Sequence, residues 1–233
     1  MTFTRKKGEW TLSVQDLKKN YDLIVSLGIS CAPAIQLRRH NLRRISLPLD
    51  WMISTRLSDV NRLLQHRYQG FMEMNNLQVL EDTHIMLEDG NPVFHDRGGL
   101  VESYMIKDTL YNIISVHDFP LVPGQHWSVL YPEYKEKLQR RIQRFYDKLA
   151  GSSSTLFIRW SASYEETFHL RAILSQLTLS EFRILVLNPV EGQYGITDAG
   201  WNLDRVCSLN VPPDMNALAT WDELLAGMTI SEG

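Results

Sequence analysis

The second half of the chain alternates short apolar runs with helical segments, and this alternation constrains the fold most strongly. The apolar runs cover residues 111–116, 155–160 and 183–188. The segments between them have the apolar spacing of amphipathic helices, one over 132–149 and one starting at a capping box of Ser163 and Glu166. Continuous apolar strands are typical of sheets covered on both faces. We therefore predict an α/β fold with a mainly parallel sheet flanked by helices.

Length and composition bound the domain organisation and the class of protein. The 233 residues are 44% hydrophobic and 22% charged, as in ordinary globular proteins. We predict a single α/β domain over 21–233, preceded by an N-terminal extension over 1–20. The net charge of -3 gives no reason to expect nucleic acid as a partner. No apolar run approaches the roughly 20 residues of a membrane span, and the basic segment 1–8 has no apolar stretch behind it, so no membrane partner and no secretory signal are predicted.

The two cysteines, Cys31 and Cys207, lie far apart in the sequence. They are too few for a disulfide scaffold or a cysteine-rich zinc site. We therefore expect free thiols and a cytoplasmic protein. The histidines show no spacing typical of metal ligands, and no glycine-rich phosphate motif is present. Neither a metal ion nor a cofactor is expected.

Cys31 follows the first apolar run at a turn that contains Gly28, and Pro33 suits the first turn of a helix directly after it. This arrangement would place the sulfur beside the free N–H groups at the positive end of the helix. Such a position lowers the pKa of a thiol and favours the thiolate. Cys31 is therefore the candidate nucleophile.

His117 follows the apolar run 111–116 and is the candidate base for Cys31. If the two preceding strands are neighbours, the thiol and the imidazole meet at one edge of the sheet. A third group should orient the imidazole, and Asp118, Asn188 and Asp50 are the candidates. Asn188 lies at another strand end, whereas Asp50 lies in an apolar loop where it could fix the backbone instead.

The loop before Cys31 and the segment around Trp51 are candidates for contacts with a substrate. The N–H of Cys31, together with that of Gly28 or Ile29, could stabilise an oxyanion. Asp50 and Trp51 are expected to bind substrate or to form the wall of the site. The basic run 38–44 could hold a phosphate or carboxylate, or it could be a solvated helix end.

Three motifs resemble a bacterial family of unknown function whose members are described as papain-like cysteine peptidases. They are Leu-Gly-x-x-Cys at 27–31, Pro-x-Asp-Trp at 48–51 and Val-His-Asp-Phe at 116–119. The similarity extends over about residues 21–188. It implies a cysteine hydrolase of the peptidase or amidase type with a Cys31–His117 dyad and a peptide or acyl substrate. It also implies a papain-like α+β fold as the alternative to a parallel sheet.

Other functions stay open at this point. An acyltransferase could use the same two residues. The turn at Cys31 is also similar to the first block of SGNH-type hydrolases, some of which act on carbohydrates, but those enzymes carry Asp-x-x-His near the C-terminus, and this chain has no histidine after His169. A non-catalytic binding domain would instead bury Cys31 as a small apolar residue. The substrate and the oligomeric state do not follow from the sequence.

Overall fold

The structure, a computed structural model, describes residues 12–231 and contains both helices and strands. The α-helices are α1 (Val14–Leu17), α2 (Ala32–Arg39), α3 (Leu57–Gln65), α4 (Tyr131–Gly151), α5 (Tyr164–Leu177) and α6 (Leu218–Leu225). The strands are β1 (Asn20–Tyr21), β2 (Leu23–Ser26), β3 (Met52–Ile53), β4 (Leu77–Ile85), β5 (Leu87–Glu88), β6 (Asn91–Pro92), β7 (Glu102–Asp108), β8 (Ile113–Ser115), β9 (Ser154–Trp160), β10 (Glu181–Pro189), β11 (Thr197–Asp198), β12 (Val206–Val211) and β13 (Thr229–Ile230). Two short 3-10 helices cover Met74–Asn76 and Trp127–Leu130.

A five-stranded sheet with the order β11-β12-β10-β9-β2 forms the centre of the domain. Strands β2, β9, β10 and β12 run parallel, and only the edge strand β11 is antiparallel. The apolar runs predicted around 155–160 and 183–188 are confirmed as β9 and β10. Almost every residue of β9 is buried, because helices cover both faces of the sheet.

The two faces of this sheet pack against different helices. Val25 and Phe157 belong to a cluster that includes residues of α3, α4 and α5. Ile24 and Leu156, which alternate with them, belong to a second cluster with residues of α1, α2 and α6. The predicted cover of helices on both faces is therefore confirmed for this sheet.

A second sheet, with the order β3-β8-β7-β4, is antiparallel throughout. The apolar run at 111–116 is a strand, β8, but it belongs to this sheet and not to the parallel one. Residues 109–112 join β7 to β8, and a connection that short permits only a hairpin, since parallel strands need a long crossover. The fold is thus a mixed α/β domain, and the prediction of one mainly parallel sheet was too narrow.

Strands β4 and β7 lie in the region 72–110, for which the sequence indicates only short strands and loops. Most residues of β4 are exposed, so it lacks the regular apolar alternation that marks a half-buried strand. A register shift between Val79 and Thr83 disrupts the pattern further.

Part of the predicted N-terminal extension packs against the domain. The side chain of Leu17 in α1 is fully buried, and β1 pairs with β13. The prediction for residues 1–11, including the basic segment, lies outside the described residues. Within residues 12–231, no helix has both the length and the apolar character needed to cross a membrane.

Candidate active site

The turn between β2 and α2 has a strained backbone immediately before Cys31. Gly28 and Ile29 both adopt left-handed conformations, with φ of 82° and 79°. Glycine tolerates this region, but for the β-branched Ile29 it is a genuine outlier that surrounding contacts must enforce. Cys31 is the N-cap of α2 and Pro33 lies in its first turn, as predicted from the sequence.

Ser54 holds this strained turn through two hydrogen bonds to Ile29. The N–H of Ile29 donates to Ser54 Oγ at 3.1 Å, and the N–H of Ser54 donates to the Ile29 carbonyl at 3.1 Å. The N–H of Gly28 donates to Ser26 Oγ at 3.3 Å. The two N–H groups predicted as oxyanion donors, those of Gly28 and Ile29, are therefore engaged by hydroxyl groups.

The N–H of Cys31, by contrast, donates to no other residue within residues 12–231. Its side chain is half-buried and packs against a cluster of Ala34, Trp51 and Leu87, called here the Trp51 cluster. Burial raises the pKa of the Cys31 thiol and outweighs a hydrogen bond from its own backbone, which lowers it. The predicted lowering of this pKa is therefore wrong, because the apolar surroundings disfavour the thiolate more than the backbone favours it.

His117 follows β8 and is almost fully buried. Its Nδ1 lies 2.6 Å from the carbonyl oxygen of Ile85. Since a carbonyl can only accept, Nδ1 carries the hydrogen in the neutral ring and Nε2 is the basic nitrogen. Nε2 is buried and has no hydrogen-bond partner among the described residues. Burial is the main cause that lowers the pKa of His117, so the ring is neutral at neutral pH.

Cys31 and His117 lie beside the same apolar cluster although they follow strands of different sheets. The His117 ring is edge-on to Trp51, with centroids 6.5 Å apart. The side chain of Ile85, whose carbonyl binds His117, packs against the Trp51 cluster together with Cys31. The condition stated for their meeting, neighbouring strands in one sheet, is not met, since β2 pairs with β9 and β8 lies between β3 and β7.

The residues predicted to orient His117 have other hydrogen-bond partners. The buried carboxylate of Asp118 accepts from the Ser115 hydroxyl at 3.0 Å and forms an ion pair with the half-buried Lys137 at 2.6 Å. Asn188 accepts from the N–H of Ala162 at 3.4 Å. The contact to His117 Nδ1 comes from the Ile85 carbonyl instead. Sequence reasoning missed Ile85 because a backbone carbonyl carries no side-chain signal.

Asp50 is buried next to the Trp51 cluster and binds Arg43, which packs on the Trp51 ring. Its buried carboxylate accepts from Arg43 Nε and from the N–H of Leu47, both at 2.8 Å. The guanidinium group of Arg43 in turn lies 4.8 Å from the centre of the Trp51 ring. Asp50 therefore fixes the backbone and Arg43, the alternative considered from the sequence, while Trp51 forms a wall next to Cys31 and His117.

The β5–β6 hairpin closes over the other side of Trp51. The guanidinium group of Arg38 donates to the Gly90 carbonyl at 3.2 Å, and Arg43 forms an ion pair with Asp89 at 2.8 Å. Two arginines of the basic run 38–44 thus anchor this hairpin.

Replacing Gly90 with alanine should loosen the contact between the hairpin and Trp51. Its φ is 79°, and an added Cβ would lie 2.4 Å from the edge of the indole ring. Gly98 is the matched control, because its φ is 85° but no atom lies within 4 Å of an added Cβ. We expect each change to cost about 1 kcal/mol from backbone strain and Gly90→Ala to cost a further 1–3 kcal/mol, roughly, from the clash. Urea unfolding followed by tryptophan fluorescence measures both, and equal losses would contradict the role of the Trp51 contact.

The site offers no ligand set for a metal ion: within residues 12–231, no three side chains of His, Cys, Asp or Glu are grouped so as to bind one. What the arrangement provides is a thiol at a helix start and a buried imidazole with one free nitrogen. These are the two groups that cysteine-dependent acyl chemistry needs.

Comparison with known proteins connects this site to a family. An uncharacterized protein of Acanthamoeba polyphaga mimivirus is 27% identical over 191 residues, covering 77% of this chain and 84% of the viral protein. This relative is viral, so the bacterial origin implied by the sequence motifs stays a prediction. No solved structure gave a significant match. A profile of the family described as "putative papain-like cysteine peptidase (DUF1796)" matches residues 22–192, which include the Cys31 turn, the Trp51 cluster and His117. The chain belongs to this family.

Proposed function

We propose that the protein is a cysteine hydrolase in which Cys31 attacks the carbonyl carbon of a peptide or another acyl substrate and His117 acts as base and acid. One observation carries the proposal. His117 is held through Nδ1 by the Ile85 carbonyl while its buried Nε2 has no partner among the described residues. A buried polar atom without a partner is costly and calls for an explanation. Accepting the proton of the Cys31 thiol, which lies beside the same Trp51 cluster, supplies one.

The pKa shifts favour a neutral resting pair over a preformed thiolate–imidazolium pair. Burial raises the pKa of Cys31 and lowers that of His117, and both shifts oppose charge separation. Proton transfer from Sγ to Nε2 therefore accompanies the attack. Sγ and Nε2 share no hydrogen bond in the structure, and in unliganded enzymes such bonds often form only when substrate binds.

The reaction then follows in two steps. The Sγ–carbon bond forms, and negative charge moves to the carbonyl oxygen, where the N–H of Cys31, which donates to no other residue among those described, is the available donor. When the intermediate collapses, the bond to the leaving group breaks and His117 Nε2 returns the proton to that group. Water, deprotonated by the same nitrogen, then attacks the acyl carbon; the Sγ–carbon bond breaks, the acid is released, and Nε2 returns the proton to Sγ. Whenever Nε2 holds the proton, the Ile85 carbonyl stabilises the charged ring by accepting the hydrogen bond from Nδ1–H.

The acylation of Cys31 tests this proposal directly. We expect p-nitrophenyl acetate to give a burst of p-nitrophenol and a single acetyl adduct on Cys31, detected by intact-protein and peptide mass spectrometry. Cys31→Ala should abolish both, whereas Cys207→Ala should keep both. Cys207 is the matched control because it is buried in β12 and burial raises its pKa to about 12.

Three other outcomes would redirect the proposal. An adduct that decays faster with an added amine than with water indicates an acyltransferase. Release of p-nitrophenol without an adduct on Cys31 indicates an ester hydrolase of another type, such as the SGNH-like alternative. No burst and no adduct would indicate a non-catalytic domain.

The neutral resting pair also predicts the pH dependence of two reactions. Acylation requires neutral His117. Since the pKa of His117 is lowered, the acylation rate should not change with pH near pH 7 and should fall only below about pH 6.5. Alkylation by iodoacetamide requires the thiolate, and since the Cys31 pKa is raised, its rate should keep increasing beyond about pH 9. Stopped-flow rates of both reactions check this. An alkylation rate that is already constant at neutral pH would show a preformed thiolate.

A further inference from the structure

We propose that Arg159 is a positioning residue that holds the strained Gly28–Ile29 turn, and through it the sulfur and N–H of Cys31, in the geometry needed for attack. This inference rests on the proposed function, since it assigns to Arg159 a part in the reactivity of Cys31. It rests on one contact in the core: the fully buried guanidinium group of Arg159 lies against the turn that leads to Cys31.

All hydrogen bonds of the Arg159 side chain go to neutral oxygens. Nη1 donates to the Leu27 carbonyl and to Ser54 Oγ, both at 2.9 Å. Nη2 donates to the Ser54 carbonyl at 2.6 Å, and Nε donates to the Ser161 carbonyl at 3.1 Å. Within the described chain, no carboxylate forms an ion pair with this buried cation.

Glu166 is the acidic residue whose charge acts on Arg159, but its carboxylate is engaged elsewhere. It accepts from the N–H groups of Ser58 and Ser163, both at 2.9 Å. Burial lowers the pKa of Arg159 to about 10, so the group stays charged at neutral pH. A buried charge without a counter-ion is destabilising compared with an apolar side chain of similar volume. Stability alone therefore does not account for an arginine at this position.

Three of the four hydrogen bonds end on residues that shape the turn. Leu27 precedes Gly28, and Ser54 binds both the N–H and the carbonyl of Ile29. Ser54 Oγ also lies so close to Gly28 that a Cβ there would be 2.5 Å away. Arg159 thus holds Ser54, and Ser54 holds Ile29 at its φ of 79°.

Without this support, Ile29 is free to relax toward an ordinary backbone conformation. Such a change rotates the peptide groups that follow and displaces the N–H and Sγ of Cys31. A displacement of about 1 Å at a reacting atom can cost about 100-fold in rate. Arg159 would act entirely through Ser54 and the backbone, since none of its hydrogen bonds reaches Cys31.

The test compares Arg159→Met and Arg159→Lys with Phe157→Leu, a core substitution in the same strand that controls for lost stability. In folded protein, we expect Arg159→Met to lower kcat for acylation by about 10- to 100-fold with little change in KM. Arg159→Lys should restore part of this rate, and Phe157→Leu should leave it unchanged. Ser54→Ala, which removes the shared hydroxyl acceptor but keeps the other contacts, should reproduce the loss and stands in if Arg159→Met does not fold.

Alkylation of Cys31 by iodoacetamide separates this inference from the proposed function. It reports on the surroundings of the thiol whether or not the protein acylates. We expect Arg159→Met and Ser54→Ala, but not Phe157→Leu, to change the pH profile of alkylation. If the profiles of all three variants match the wild type in folded protein, Arg159 is only structural. If wild-type Cys31 does not acylate while these alkylation profiles differ, the proposed function fails and the positioning of Cys31 by Arg159 stands.

Discussion

Replacing His117 with glutamine is expected to slow acylation of Cys31 by about 10²- to 10⁴-fold, the usual contribution of a positioned base. Glutamine can still donate to the Ile85 carbonyl, so the local fold should persist. Its amide cannot accept a proton from the thiol, so attack would have to wait for the rare thiolate. Because the pKa of Cys31 is raised, that thiolate is scarce at neutral pH. Burst kinetics with p-nitrophenyl acetate measure the loss.

His84→Gln is the matched control for this experiment. The His84 ring is edge-on to His117, with centroids 4.7 Å apart, but it is exposed on β4. We expect this variant to change the acylation rate by no more than about threefold, since an exposed group has a small electrostatic effect. Equal losses for the two variants, or no loss for His117→Gln at pH 7, would remove His117 as the base. A His117→Gln rate that recovers as the pH rises toward the thiol pKa would support the assignment.

Replacing Asp50 with alanine should lower the free energy of unfolding by about 3–5 kcal/mol, the cost of removing one partner of a buried ion pair, because the remaining partner of Arg43, Asp89, is exposed. Both members of the Arg43–Asp50 pair are buried, with 4% and 2% of their side chains exposed. The change also removes the acceptor for the N–H of Leu47. Because Arg43 lies over the Trp51 ring, the wall beside Cys31 and His117 should move as well, and acylation should decrease even in folded protein.

Urea unfolding of a small series isolates the contribution of the pair. The side chain of Asp89, the other ion-pair partner of Arg43, is 61% exposed. Asp89→Ala should therefore cost less than about 1 kcal/mol. The double variant Arg43→Met with Asp50→Leu removes both charges and should recover most of the stability lost in Asp50→Ala. A loss for Asp50→Ala as small as that for Asp89→Ala would show that the buried pair contributes little.

The sequence predicted those parts of the fold that depend on local patterns. The capping box of Ser163 and Glu166 starts α5 as expected, and a helix begins directly after Cys31, also as expected. Buried parallel strands such as β9 are recognisable because most of their central positions are apolar. The mostly exposed strand β4 and its partner β7 carry no such pattern, since their pairing depends on backbone hydrogen bonds between distant segments.

The sequence points to the two candidate side chains of the site but not to the groups that hold them in place. Cys31 and His117 are reactive residue types at the ends of apolar runs, so they can be found from the sequence. The Ile85 carbonyl is a backbone group contributed by a distant strand, and no residue pattern identifies it. The left-handed Ile29 was also unforeseen, because β-branched residues avoid that conformation unless tertiary contacts impose it. Arg159 lies within an apolar run, where the sequence pattern indicates a buried strand and gives no sign of a positioning role.

Helix α2 links Cys31 to the β5–β6 hairpin through a fixed length of chain. Cys31 caps one end, while Arg38, near the other, binds the β5–β6 hairpin that follows Ile85. A rise of about 1.5 Å and a rotation of about 100° per residue separate the two ends. Inserting or deleting a single residue within α2 would therefore swing Arg38 away from the hairpin even if the core repacked. Among relatives that keep both contacts, substitutions in this helix should be frequent, but changes in its length should be absent.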